Sequence, residues 1–190
     1  MSNVLVDDLP TAVIVDGIEY DIDSDYRAAL RIMLAFEDYS LTINEQCGIL
    51  LANLYKTIPN NVEHALKVGF KFLACGKDEE KTDEEPVRLY SFEQDAKFIF
   101  AAFQQTHGVD LSITKMHWWK FITLFMDLGV NTTFCWLVSL RKRVNSGKAS
   151  KEELRTASEL GDIFAIKQRD TRTPEEKEAE AEFMRLIGES

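Results

Sequence analysis

The stretch Gly108-Val109-Asp110-Leu111, followed shortly by Met116-His117-Trp118-Trp119-Lys120-Phe121, decides how this chain folds. Neighbouring side chains on a helix point about 100° apart, so two consecutive tryptophans cannot share one narrow stripe. A helix that carries them is expected to be buried on more than one side. Around its wheel, Trp118, Phe121, Ile122 and Phe125 form one face, with Trp119 and Met126 flanking it on one side and Leu124 and Leu128 on the other. Only Lys120, Thr123 and Asp127 are left as a thin polar seam. The segment reads as the central helix of a helical domain.

Towards the N-terminus, residues 12–22 alternate around Asp16-Gly17, a dipeptide whose tolerance of positive φ favours a type I′ turn and so a short β-hairpin. Asp23 or Ser24 is placed to cap a first helix with Tyr26, Leu30, Met33 and Leu34 at helical spacing. A second helix carries Ile43, Cys47, Leu50, Leu51, Leu54 and Ile58, with Pro59 as its stop. A third runs from about Asn61 to Cys75, where Gly76 suits the position after a helix end. From Lys77 to Pro86 no apolar residue anchors the chain, and a mobile, solvated loop is expected. Ser91 and Gln94 have capping-box spacing ahead of a helix bearing Phe92, Ala96, Ile99, Phe100 and Phe103, which Gly108 ends.

After the tryptophan helix, a turn over 129–132 leads into an apolar helix through Phe134, Trp136, Leu137, Val138 and Leu140 to Arg141-Lys142-Arg143. Composition changes past Gly147. Ser150 with Glu153, and Thr173-Pro174-Glu175-Glu176, start two further helices. The last offers only Ala179, Phe183, Leu186 and Ile187 as an apolar stripe, so it docks weakly or waits for a partner. Phe183, Leu186 and Ile187 are accordingly the candidate partner-binding residues. The expected architecture is mostly α (α+β): a hairpin plus a bundle of about six to eight helices, divided into a core over 1–147 and a two-helix extension over 148–190 that contributes little to core stability.

Composition excludes several classes of function. With 190 residues, 45% of them hydrophobic, the chain can bury a substantial core. A formal net charge of -10 and a pI near 4.8 argue against nucleic acid, because phosphate binding needs clustered cations. Arg141-Lys142-Arg143 is such a cluster, but it falls where cations complement the end of a helix. Cys47, Cys75 and Cys135 are scattered in apolar surroundings, as buried thiols of a reducing compartment are. The short, acidic start Met1-Ser2-Asn3-Val4-Leu5-Val6-Asp7-Asp8 is unlike a signal peptide, and no membrane-length apolar run is present. The expectation is a soluble, cytoplasmic protein.

No constellation of residues points to catalysis. His64, His107 and His117 show no metal-ligand spacing with one another or with the cysteines. His107 suits a helix end, and His117 lies among bulky core residues. Asp95 and Asp110 bracket the phenylalanine helix as a conceivable acid/base pair, yet Asp95 also suits a first helical turn and Asp110 a turn before the tryptophan helix. Arg27 has charged neighbours at helical spacing, so local ion pairing accounts for it. Without a phosphate loop, a nucleophile elbow or a Cys/His pair, no enzyme and no cofactor is expected.

The ordered landmarks Gly17-x-x-Tyr20-x-Ile22, Asp25-Tyr26-Arg27, Asp95-x-x-x-Ile99-x-x-Ala102-Phe103, Gly108-Val109-Asp110-Leu111, His117-Trp118-Trp119-x-Phe121 and Arg141 resemble the bacteriophage gene-product-fifteen family. The similarity runs from the hairpin to about Val144, and His-Trp-Trp-x-Phe is its most specific piece. The resemblance implies a protein of siphophages and prophages, encoded between the major tail protein and the tape measure protein, in the place of tail assembly chaperones. Such chaperones coat the tape measure protein, bring tail tube protein to it and leave before the tail is complete; some have a frameshifted long form. The implied partners are therefore the tape measure and tail tube proteins, with self-association into a homo-oligomer also open, and no nucleic acid or membrane. A structural virion protein, such as a tail completion or connector subunit, is the rival expectation.

Overall fold

The computed structural model describes residues 5–77 and 87–166. Strands β1 (Ala12–Val15) and β2 (Ile18–Asp21) pair antiparallel, with Val15 opposite Ile18. Asp16 and Gly17 between them take φ of 50° and 79°, as a type I′ turn requires. A lone hairpin is marginal in water. This one is pinned to the third helix, because the Asp16 carboxylate accepts from Asn61 Nδ2 at 2.8 Å and meets His64 Nδ1 at 2.5 Å. Those bonds, the His64 one foremost, hold the Asp16 carboxyl below the usual carboxylate range.

Among the described residues the hairpin is followed by seven α-helices: α1 (Tyr26–Glu37), α2 (Ile43–Leu54), α3 (Val62–Leu73), α4 (Ala96–His107), α5 (Trp118–Met126), α6 (Thr133–Asn145) and α7 (Lys151–Leu160). The fold is mostly α with a small β element, as its periodicities indicate. α1 packs on α2 and α5, α2 on α3, α4 on α5 and α6, and α7 on α6. Gly69 permits the α2–α3 approach, since a Cβ there would meet Leu50 Cδ2 at 2.7 Å. The acidic stretch after Lys77 and the segment Pro174 to Ile187, where a helix bearing Phe183, Leu186 and Ile187 was expected, lie outside the described residues.

Several local expectations are corrected. Asp25, not Asp23 or Ser24, caps α1, accepting from Arg27 N at 2.9 Å. The Ser24 carbonyl instead accepts from Trp118 N at 2.8 Å. α2 ends at Leu54, ahead of Pro59, because Leu54 O accepts from Asp23 N and Lys56 N donates to Asp21 O. Ile58 therefore falls outside the helix and half exposed. Ser91 Oγ does accept from Gln94 N at 3.0 Å, but it closes only a turn; α4 starts at Ala96, and Ser91 N is met by Asp95 Oδ2 rather than by the Gln94 side chain expected for a reciprocal box. The Ser150/Glu153 capping box of α7 is present in both halves.

α5 is the centre of the core. Trp118 is 1% exposed and Phe121 fully buried, and Phe121 stacks on Tyr26 and on Phe103 with centroids 4.9 Å away in each case. The wheel fails at one point: Met126, the last residue of α5, is 77% exposed. The adjacent tryptophans have a specific purpose. The last four carbonyls of a helix lack intrahelical partners. In α3, Ala74 N takes Phe70 O and Gly76 N takes Lys71 O, while Cys75 N and Trp119 Nε1 share Phe72 O and Trp118 Nε1 takes Leu73 O, the two indole bonds measuring 2.8 and 2.9 Å. Consecutive carbonyls need donors on different bearings, which consecutive tryptophans supply.

Trp118→Ala is expected to cost about 3–5 kcal/mol through the cavity it leaves, whereas Trp119→Phe, which keeps a smaller aromatic ring, removes the indole N–H and leaves Phe72 O its bond from Cys75, is expected to cost less, with about 0.5–1.5 kcal/mol of it from the lost hydrogen bond. Denaturant midpoints of the two variants measure the difference.

Candidate functional site

The family-like motifs meet in two joints. In the first, Asp25 and His117 form a short antiparallel bridge: Tyr26 N donates to Met116 O at 3.0 Å and Trp118 N to Ser24 O. The Tyr26 hydroxyl donates to Leu111 O at 2.5 Å, and Arg27 Nη2 donates to the same carbonyl at 2.8 Å and to Ser112 O. Arg27 also lies over the Tyr26 ring, 4.7 Å from its centroid. Its ion pair is with Asp25 at 3.6 Å, so the local pairing expected for it is the lesser part of its role. Burial raises the Tyr26 phenol above its ordinary value.

His117 completes this joint. Its Nδ1 accepts from Trp119 N at 3.0 Å, which caps α5 and puts the proton on Nε2, and Nε2–H donates to Pro10 O at 2.9 Å. Burial pushes its pKa below the ordinary 6.5. Asp110 binds Ser112 N and Oγ, and these bonds hold its carboxyl low.

The second joint was not legible beforehand. Arg141 is 1% exposed and does not serve as a helix-end cation. Its guanidinium grips Asp95 with two bonds, Nη1 to Oδ2 at 2.6 Å and Nη2 to Oδ1 at 3.0 Å. The remaining N–H groups go to Leu89 O, Ile163 O and Phe164 O. All five guanidinium donors are used. A cation at the end of an apolar helix looks like a cap; its burial depends on where α4 and the segment after α7 lie, which no spacing within α6 reveals. Beside it, the Glu37 carboxylate accepts from Ser91 Oγ, Phe92 N and Glu93 N and pairs with Arg88.

This second joint also fastens the chain beyond Gly147. Besides the Ile163 and Phe164 carbonyls, Arg143 pairs with Glu153 at 2.7 Å and Gln94 Nε2 donates to Ala165 O. Residues 148–166 are thus joined to α4 and α6 by polar contacts as well as by their thin apolar stripe.

The other candidate residues sit apart. Asp95 and Asp110 belong to separate hydrogen-bond networks. His107 Nε2 bonds Leu124 O at 2.9 Å ahead of left-handed Gly108, and His64 serves the hairpin tip. Cys47, Cys75 and Cys135 are free and only partly buried, and burial raises the Cys75 thiol. Among the described residues, no group of three or more His, Cys, Asp or Glu could hold a metal, and every buried side-chain nitrogen and oxygen has a partner. No helix among them is long and apolar enough to cross a membrane.

Fold and joints together define a helical domain whose motif residues hold its elements in place. The chain belongs to the family described as bacteriophage Gp15 protein, whose model matches residues 5–166, extending past Val144 through α7 and the bound carbonyls of Ile163 and Phe164. Membership makes it a phage structural or assembly protein. No curated protein and no solved structure matches the chain.

Arg141→Leu leaves the Asp95 carboxylate buried without its counter-charge and is expected to destabilise the protein by about 3–5 kcal/mol; truncation after Gly147 lowers the unfolding midpoint in the same direction. For His117 the folded pKa lies below the unfolded one, so its contribution is complete above about pH 6.5 and is lost as pH falls through the folded value. Unfolding midpoints at pH 7.5 and 5.5 check this, and His117→Asn, which keeps a capping oxygen, is expected to show a smaller drop.

Proposed function

We propose that this protein is a non-catalytic tail assembly chaperone or adaptor that binds the tape measure protein and recruits tail tube subunits in the cytoplasm of the infected or lysogenic host. The observation that carries the reading is family membership over residues 5–166, because the family resemblance implies a gene beside that of the tape measure. Two physical features support it. The polar side chains of both joints are consumed in holding the fold, which suits a binding protein better than a catalyst. A net charge of -10 keeps a chaperone soluble while it covers an apolar client. The acidic, apolar-striped sequence of Pro174 to Ile187 supplies the candidate contact, with Phe183, Leu186 and Ile187 as anchors.

Replacement of Phe183, Leu186 and Ile187 together by serine is expected to reduce the soluble tape measure protein recovered on co-expression severalfold, without moving the unfolding midpoint of the purified chain. Undiminished recovery would show that these residues are not the anchors. Quantitative mass spectrometry of mature particles is expected to find the chain absent or far below tail-tube stoichiometry. A fixed, abundant copy number there would replace the chaperone reading with that of a structural virion protein, such as a completion or connector subunit.

A further inference from the structure

Of the nine glycines in the chain, Gly17 alone follows an aspartate or asparagine. A glycine after aspartate has no side chain to keep the aspartyl carboxyl from its own backbone nitrogen. The pair forms the hairpin tip, where both residues are exposed and a Cβ on Gly17 would meet nothing within 4 Å. Gly17 lies outside the strand ladder, and among the described residues its N–H donates no hydrogen bond. The Asp16 carboxylate is held from the opposite side by α3. Asn61 Nδ2 binds Oδ2 and His64 Nδ1 binds Oδ1, at 2.8 and 2.5 Å. Asn61 is itself fixed as the α3 cap, its Oδ1 accepting from His64 N at 3.1 Å.

We propose that Asp16-Gly17 is a site of self-modification, at which the aspartyl linkage converts to an isoaspartyl one through a cyclic imide, and that the Asn61 and His64 donors set its rate. In the first step the Gly17 nitrogen bonds to Asp16 Cγ, and its proton leaves with the carboxyl hydroxyl as one water. Water then adds to the Asp16 main-chain carbonyl and breaks its bond to Gly17 N. Gly17 stays joined through Cγ, and a carboxylate is left on Cα. The sum is an isomerisation that consumes no cofactor or oxidant. The two donors oppose the first step twice over. They keep the carboxyl ionised, a form that cannot release its hydroxyl, and they hold Cγ towards α3 and so off the Gly17 nitrogen. Isomerisation adds one carbon to a turn whose two-residue length sets Val15 opposite Ile18. It also shortens by one carbon the arm that carries the carboxylate to α3, so the product loses both its turn geometry and its latch.

The test ages the purified full chain at neutral pH below its unfolding transition. Isoaspartate is read by chromatography and electron-transfer fragmentation of the peptide spanning the tip. A synthetic peptide of residues 12–21 supplies the unlatched rate, and the folded chain is expected to react at least tenfold more slowly. His64→Ala removes one donor. Asn61→Ser removes the other while keeping an oxygen to cap α3. Each is expected to speed the reaction about threefold or more, the scale of losing one solvent-exposed hydrogen bond to a charged group. Trp119→Phe, at the far end of α3, is expected to leave the rate unchanged, which separates loss of the latch from general loosening. The proposal is overturned if the folded chain reacts as fast as the peptide, or if neither latch variant is faster. It is also overturned if Trp119→Phe speeds the reaction as much as they do, or if isoaspartate in both latch variants gathers at another aspartate more than at Asp16.

Discussion

Two indole N–H groups finish α3, and the rest of the structure is arranged around that fact. A helix end leaves carbonyls without intrahelical partners, and where neighbouring side chains shield them from water, leaving them unpaired is costly. Trp118 and Trp119 satisfy Leu73 and Phe72 from a second helix, so the end of α3 and the start of α5 are fixed with respect to each other. That start is itself held by the His117 cap and by the backbone bridge to Asp25. From there Phe121 reaches the α1 and α4 rings on which it stacks. One pair of residues thus connects hydrogen bonding at a helix terminus to aromatic packing in the middle of the core.

The Arg141–Asp95 pair performs a comparable task at the other end of the domain by different means. A buried ion pair gains little net stability over apolar packing, but breaking it is expensive. Here the arginine also binds three carbonyls from two segments outside the α-helices, one before α4 and one in and after the short 3-10 turn that follows α7. Helix packing alone would not position those segments. The cost of disrupting any one contact makes the arrangement specific, and the bonds to Ile163 and Phe164 tie residues past Gly147 to α6.

Both joints give their polar atoms to structure, and this bears on what the protein does. Chemistry needs an acid, base or nucleophile presented to a cleft; Asp95, Asp110, Glu37 and His117 are each occupied with a backbone or ion-pair partner. The adaptor role proposed above would require a rigid frame, and these joints supply one.

The sequence by itself determined the element order, the Asp16-Gly17 turn, the α7 capping box and the central place of the Trp118 helix, because each follows from interactions within a few residues: φ preference, cap geometry and helical periodicity. It also carried the family through ordered motifs, although what those motifs do in space was hidden. Tertiary structure alone decided that Asp25 would cap α1 while the Ser24 carbonyl paired with Trp118 N, that α2 would stop at Leu54 rather than run on to Pro59, and that Met126 would face solvent. It alone decided that Arg141 would be buried, since its partners are Asp95, 46 residues away, and carbonyls 22, 23 and 52 residues away. A charge at a helix end reads the same in sequence whether it meets water or a carboxylate, and only the packing of distant segments distinguishes the two.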